Sequence, residues 1–127
     1  MKRIIKNLIL SAAIGIVFVS RPLVLAENIP VPQDVPGMIA YYSQVYGANS
    51  AELLNVAKCE SGLRTNVYGD GGYAFGVMQF HEQTFDLWSK QFGEELDYHS
   101  ANDQIKLATW AFAQGNSYKL HWTCFKR

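Results

Sequence analysis

Asn49-Ser50-Ala51-Glu52-Leu53-Leu54-Asn55-Val56-Ala57-Lys58-Cys59-Glu60-Ser61-Gly62 reads as one complete helix with both ends marked. Asn49 or Ser50 supplies the side-chain oxygen of an N-cap, and Glu52 stands three residues after Asn49 in the capping-box relation. Leu53, Leu54 and Ala57 recur at helical spacing and form the expected buried stripe. Gly62 can take the left-handed conformation that ends a helix, which leaves Cys59, Glu60 and Ser61 on the last turn. A carboxylate in that position faces the partial negative charge of unpaired carbonyls, which disfavours its ionised form. A solvated helix-end glutamate without function is the competing reading of Glu60, and position alone does not separate the two.

On the N-terminal side, a helix over Val35–Tyr46 is predicted. Asp34 opens it, Pro36 sits in its first turn, Met38, Ile39, Tyr42 and Val45 are its apolar positions, and Gly47 stops it. On the C-terminal side the composition changes. Gly69, Gly71, Gly72 and Gly76 alternate with Tyr68, Asp70, Tyr73 and Phe75, so residues 63–76 are expected to form turns and a short hairpin. Two further helices are expected to close the chain. One is Glu82–Phe92, with Phe85, Trp88 and Phe92 on one side; the other is Ala101–Gln114, capped by Ser100 and stopped by Gly115. The pattern predicts a small α+β domain, mainly helical, with a short loop or hairpin region. Residues 27–36 carry Pro30, Pro32 and Pro36 and read as an extended linker, so the domain is taken as residues 37–127.

The 127 residues have room for one core and one site. Residues 1–26 read as an export signal, with a basic head of Lys2, Arg3 and Lys6, an apolar run from Leu8 to Val19, and Val24-Leu25-Ala26 before the cleavage point. That apolar run is shorter than the roughly 20 residues of a membrane span, so no permanent span is expected after cleavage, although a retained anchor is the competing reading. The mature protein is expected to be secreted, extracellular or associated with the cell wall, and monomeric. Removing Lys2, Arg3, Lys6 and Arg21 from the 11 basic residues leaves 7 against 11 acidic ones. A mildly acidic chain without a basic cluster excludes nucleic acid as the expected partner. Cys59 and Cys124 are the two cysteines, and an exported chain allows a bridge between them. A zinc site using Cys59, Cys124 and His121 is the alternative, but it lacks a paired Cys-x-x-Cys or a second nearby histidine. His81, His99 and His121 stand in no metal-ligand spacing, so no metal and no cofactor are expected.

Several short motifs then fall in a fixed order: Cys59-Glu60-Ser61-Gly62, Gly69-Asp70-Gly71-Gly72-Tyr73, Gly76-Val77-Met78-Gln79-Phe80 with Thr84-Phe85, Gln104-Ile105 with Ala108, and Trp122-Thr123-Cys124. Together they resemble the catalytic domain of the resuscitation-promoting factors and, more broadly, the soluble lytic transglycosylases of the lysozyme-like superfamily, over about residues 53 to 124. The resemblance implies a lysozyme-like fold, peptidoglycan glycan strands as substrate, Glu60 as the catalytic acid and a Cys59–Cys124 disulfide. It also implies that Gln79 lines the glycan groove near the acid. Val77-Met78 stands where the resuscitation factors have Gly-Leu, the proline before the last cysteine is absent, and Leu63-Arg64 replaces an aromatic. These departures bear on sugar subsites more than on the fold.

Protonating a poor alkoxide leaving group calls for a carboxylic acid that holds its proton until the sugar ring gains charge. Hydrolytic glycosidases pair two carboxylates for this chemistry, whereas the resemblance implies a single-acid route. In that route Glu60 protonates the leaving oxygen and then, as a base, takes the proton of the muramyl 6-hydroxyl, giving a 1,6-anhydro sugar. Gln79 can donate to and accept from sugar hydroxyls or an N-acetyl group. Tyr73, Phe75 and Met78 are expected to line the site, and Asp70 is grouped with them as substrate-binding. An Asx-turn role for Asp70 is preferred to that of a second catalytic carboxylate. Ser61 is expected to help finish its helix, and Trp110 and Trp122 to pack in the core. The alternatives are a muramidase on the same fold and a non-catalytic secreted wall-binding module.

Overall fold

A computed structural model describes residues 29–126. The proposed export signal, residues 1–26, lies outside the described residues. Five helices are present among them: α1 Val35–Tyr46, α2 Ser50–Ser61, α3 Glu82–Phe92, α4 Ala101–Gln114 and α5 Asn116–Lys119. A three-stranded antiparallel sheet of two-residue strands lies between α2 and α3, in the order β1 (Tyr68–Gly69), β2 (Ala74–Phe75), β3 (Phe80–His81). Tyr68 pairs with Phe75, and Phe75 in turn with Phe80. No helix among the described residues is long and apolar enough to cross a membrane.

The helix ends follow their local chemistry. Asp34 accepts from the Gly37 N–H at 2.9 Å, Asn49 from Glu52 N–H at 3.1 Å, and Ser100 from Asp103 N–H at 3.2 Å. Asn49, not Ser50, is therefore the cap of α2. Gly47, Gly62 and Gly93 end α1, α2 and α3 in the left-handed conformation.

Helix α1 lies chiefly against α4, with α2 and α3 beside them. Ile39, Leu53, Phe80, Phe85, Ile105, Leu107 and Trp122 are the large residues of the core. Val31 and Val35 of the lead-in already pack against it. Val45, expected on the buried stripe of α1, is exposed. The stripe runs Val35, Met38, Ile39 and Tyr42, and Tyr46 continues it; Val45 falls off to one side. In α2 Val56 joins Leu53 and Ala57 in the buried face, and Leu54 is half-buried. The chain also does not end its regular structure at Gly115. Helix α5 and a 3₁₀ turn over Thr123–Lys126 follow, folding the C-terminus back onto α2. Lys119 of α5 binds Glu52 of α2 at 2.6 Å.

Cys59 and Cys124 form a disulfide that closes 65 residues of sequence, with Cα atoms 5.9 Å apart. The zinc alternative is thereby removed. On the chain-entropy model a loop of that length stabilises the folded state by ~4 kcal/mol.

Candidate active site

Glu60 sits on the last turn of α2, half-buried, at the edge of an open cavity of about 560 Å³. The floor and far wall come from the sheet and the C-terminal turn: Gly69, Asp70, Gln79, His81, His121 and Trp122. Three non-local hydrogen bonds bring these elements together. The Cys124 N–H donates to Glu60 Oε1 at 3.2 Å, so the disulfide partner holds one oxygen of the carboxylate. The Ser61 hydroxyl donates to the Val77 carbonyl at 2.8 Å, within the core, and thereby ties the end of α2 to the loop before Gln79. The Trp122 indole N–H donates to the Met78 carbonyl at 2.7 Å. Ser61 was expected only to finish its helix; its contact with the Ala57 carbonyl at 3.1 Å does so, and the bond to Val77 extends that role across the domain.

Gln79 stands in the cavity with a left-handed backbone, φ 48°. Its amide nitrogen donates to the Val67 carbonyl at 3.1 Å and the Gly76 carbonyl at 2.8 Å. Two carbonyl acceptors fix the amide orientation and use both of its protons, so Oε1 alone is left to face a ligand, as an acceptor. Gly69 is required beside it, because a Cβ there would lie 2.1 Å from that oxygen. Gln79 thus lines one cavity with Glu60, the place that the resemblance implies, but without the donor capacity expected of it.

Asp70 also has a left-handed backbone, φ 50°, and its carboxylate lies 2.8 Å from His81 Nε2. Strained non-glycine residues of this kind cost on the order of 1–3 kcal/mol each, and two of them, Asp70 and Gln79, line this one cavity. His121 stacks at 6.0 Å on Phe80 and meets Trp88 and Trp122 edge-on at 5.1 and 5.2 Å. Burial among these rings lowers its pKa from the ordinary histidine value, with smaller contributions from His81 and Lys126. Near neutral pH it is therefore an uncharged imidazole in the cavity wall.

Three of the expected lining residues lie elsewhere. Met78 is fully buried, so its backbone carbonyl serves Trp122 while its side chain belongs to the core. Phe75 is buried against Tyr68, Tyr98 and His99 and does not line the Glu60 cavity. Alternation along the short strands accounts for this, since a residue directed into the sheet's packed face cannot also line the cleft. Tyr73 is exposed, but lines a neighbouring hollow with Tyr68, His81 and His99. Conversely, His81, His121 and Trp122 line the Glu60 cavity without having been singled out for it. No spacing rule finds them; His81 meets Asp70 only because the sheet folds residues 70 and 81 together.

A mainly helical α+β domain, in which a helix-end glutamate enters an open cavity backed by a small antiparallel sheet, has the architecture of the lysozyme-like fold. Residues 37–124 match the family model described as the transglycosylase SLT domain, and the chain belongs to that family. No curated protein and no solved structure matches it significantly. Family membership defines a peptidoglycan-acting protein of the lytic transglycosylase type.

Proposed function

We propose that the protein cleaves the β-1,4 bond between N-acetylmuramic acid and N-acetylglucosamine, with Glu60 as its one catalytic acid and base. The observation that carries this reading is the pairing state of the two carboxylates in the cavity. Asp70 is engaged by His81, whereas among the described residues Glu60 is oriented by a single backbone N–H, to Oε1, and Oε2 has no hydrogen-bond partner. In the proposed reaction the Glu60 carboxyl gives its proton to the glycosidic oxygen as the C1–O bond breaks and the electron pair leaves with that oxygen. The resulting carboxylate takes the proton of the muramyl 6-hydroxyl while its oxygen bonds to C1. A 1,6-anhydro ring forms, Glu60 regains its proton, and no water is consumed. The nearer resemblance to the resuscitation-promoting factors supports the same route. Export with removal of residues 1–26, a linker over 27–36, and action as a monomer on the wall complete the proposal.

Digestion of purified sacculi followed by mass analysis of the muropeptides tests it. Anhydro ends are expected from the mature protein; products one water heavier would overturn the transglycosylase route in favour of hydrolysis. Glu60→Gln is expected to reduce fragment release by a factor on the order of 10²–10⁴ while leaving the fold intact. Equal release by the two proteins, or none by either, would exclude a catalytic Glu60.

A further inference from the structure

The Glu60 cavity does not stand alone. A second hollow, of about 450 Å³, opens beside it, and among the lining residues His81 is the one side chain common to both. His81 ends β3 and precedes α3, with its backbone paired to Ala74 of the central strand. Its side chain is about half exposed, at 48 %. Asp70 holds one edge of the ring, with Oδ2 2.8 Å from Nε2, so Nδ1 is the nitrogen that the carboxylate does not engage. Asp70 in turn is set by the left-handed turn over residues 70–72, so the pair is held from the sheet at both ends.

The second hollow has a distinct chemistry. Tyr68 and Tyr73 are 61 % and 76 % exposed, the two most accessible aromatic rings among the large exposed apolar side chains. Tyr98 forms part of its wall and is anchored by donating its hydroxyl proton to the Phe80 carbonyl at 2.6 Å. Among the described residues no lysine or arginine lines it, and Glu82 contributes a negative charge. Exposed tyrosine rings offer stacking surfaces with polar tips, which suit a neutral sugar.

We propose that His81, held by Asp70, is a substrate-positioning residue that grips the glycan strand where it passes from the catalytic cavity into the tyrosine-walled hollow, making that hollow a second saccharide site. This rests on the reading of the substrate as glycan. Nδ1, the nitrogen away from Asp70, hydrogen-bonds a sugar hydroxyl at the divide, and Tyr68 and Tyr73 pack against the next ring. His81 takes no part in bond breaking; it acts on how firmly and in what register the strand is held.

The test uses the Glu60→Gln protein, so that binding is read without turnover, and an N-acetylglucosamine hexasaccharide as the probe in calorimetry. Adding His81→Ala is expected to weaken hexasaccharide binding about tenfold, the value of one well-placed hydrogen bond. Adding His81→Gln, which can still bond both Asp70 and a sugar hydroxyl, is expected to stay within about threefold of the parent. In the active protein, His81→Ala should raise KM on soluble glycan strands by a similar factor while kcat stays within about twofold. If Glu60→Gln binds the probe and His81→Ala binds it equally well, the positioning role is wrong and the glycan reading stands. A fall in kcat with KM unchanged would equally overturn it. If Glu60→Gln binds no glycan and the unmodified protein releases no fragments from sacculi, the glycan reading fails and takes this proposal with it.

Discussion

Gln104 braces the segment before Gln79 from α4, and replacing it with leucine removes its hydrogen bonds at little change in volume. Its side chain is 1 % exposed. Nε2 donates to the Phe75 carbonyl at 3.0 Å and the Tyr98 carbonyl at 2.8 Å, while Oε1 accepts from the Met78 N–H at 3.2 Å. The bonds to Phe75 and Met78 are wholly buried, and that to Tyr98 is partly so. A buried backbone group stripped of its partner costs about 1–3 kcal/mol, and the more accessible carbonyl less, because water can replace the amide. Gln104→Leu should therefore destabilise the domain by roughly 3–6 kcal/mol, a large part of the 5–15 kcal/mol typical of a domain. Urea unfolding followed by tryptophan fluorescence measures this, since Trp88 and Trp122 are both buried. The melting temperature should drop by something on the order of 12 °C or more. Gln104→Glu should be worse still at neutral pH, because it sets a carboxylate against two carbonyl oxygens. A loss below about 1 kcal/mol with an unchanged denaturant slope would show that these bonds contribute little net free energy, and the bracing role would fail.

Three other outcomes follow from the same structure. Gly76→Ala sets a Cβ within 2.4–2.7 Å of the Gln104 amide at φ +82°, and should cost at least about 1–3 kcal/mol in thermal unfolding; no measurable cost would mean that the Gln104 amide yields freely. The double variant Cys59→Ser, Cys124→Ser should lose ~4 kcal/mol of stability by the same measurement, and more activity than unfolding explains, because the Cys124 N–H no longer holds Glu60 in place. His121, with its pKa below the histidine reference of 6.5, binds its proton more readily in the unfolded chain, so stability rises with pH in that window. Its contribution is complete above pH 6.5 and is lost as pH falls towards the lowered folded value. Urea melts across this range should show the slope, and His121→Phe should flatten it.

The helices were legible because their signals are local. Asn49 and Gly62 mark the ends of α2 within its own sequence, and Asp34, Gly47 and Ser100 do the same elsewhere. The disulfide was legible because two cysteines admit one pairing. What failed to show was decided by distance in space. Nothing near Val45 says that Tyr46 will pack on Phe92 of α3, and nothing in a two-residue strand says which face its phenylalanine will take. Phe75 and Met78 lie in a motif that borders the cavity, yet their side chains belong to the core. His81 carried no signal at all, since its meaning depends on Asp70 lying 2.8 Å away across a turn of the sheet.

These non-local contacts share one form: a side chain of one element reaches a backbone group of another. Ser61 reaches Val77, Trp122 reaches Met78, Gln104 reaches Phe75 and Met78, and the Cys124 N–H meets Glu60 from the opposite direction. Four of these bonds converge on residues 75–78, the segment immediately before Gln79. A loop with so few strand hydrogen bonds of its own would leave Gln79 free to swing; bonded from α2, α4 and the C-terminal turn together, it holds even a left-handed glutamine at a fixed place beside Glu60. Rigid support of this kind is what a glycan-cleaving site needs when the reaction leaves little tolerance in the position of the sugar ring. It also explains why the C-terminal turn, absent from the helix pattern, is part of the site: without Trp122 and Cys124, both the Met78 carbonyl beside Gln79 and one oxygen of Glu60 lose their anchors.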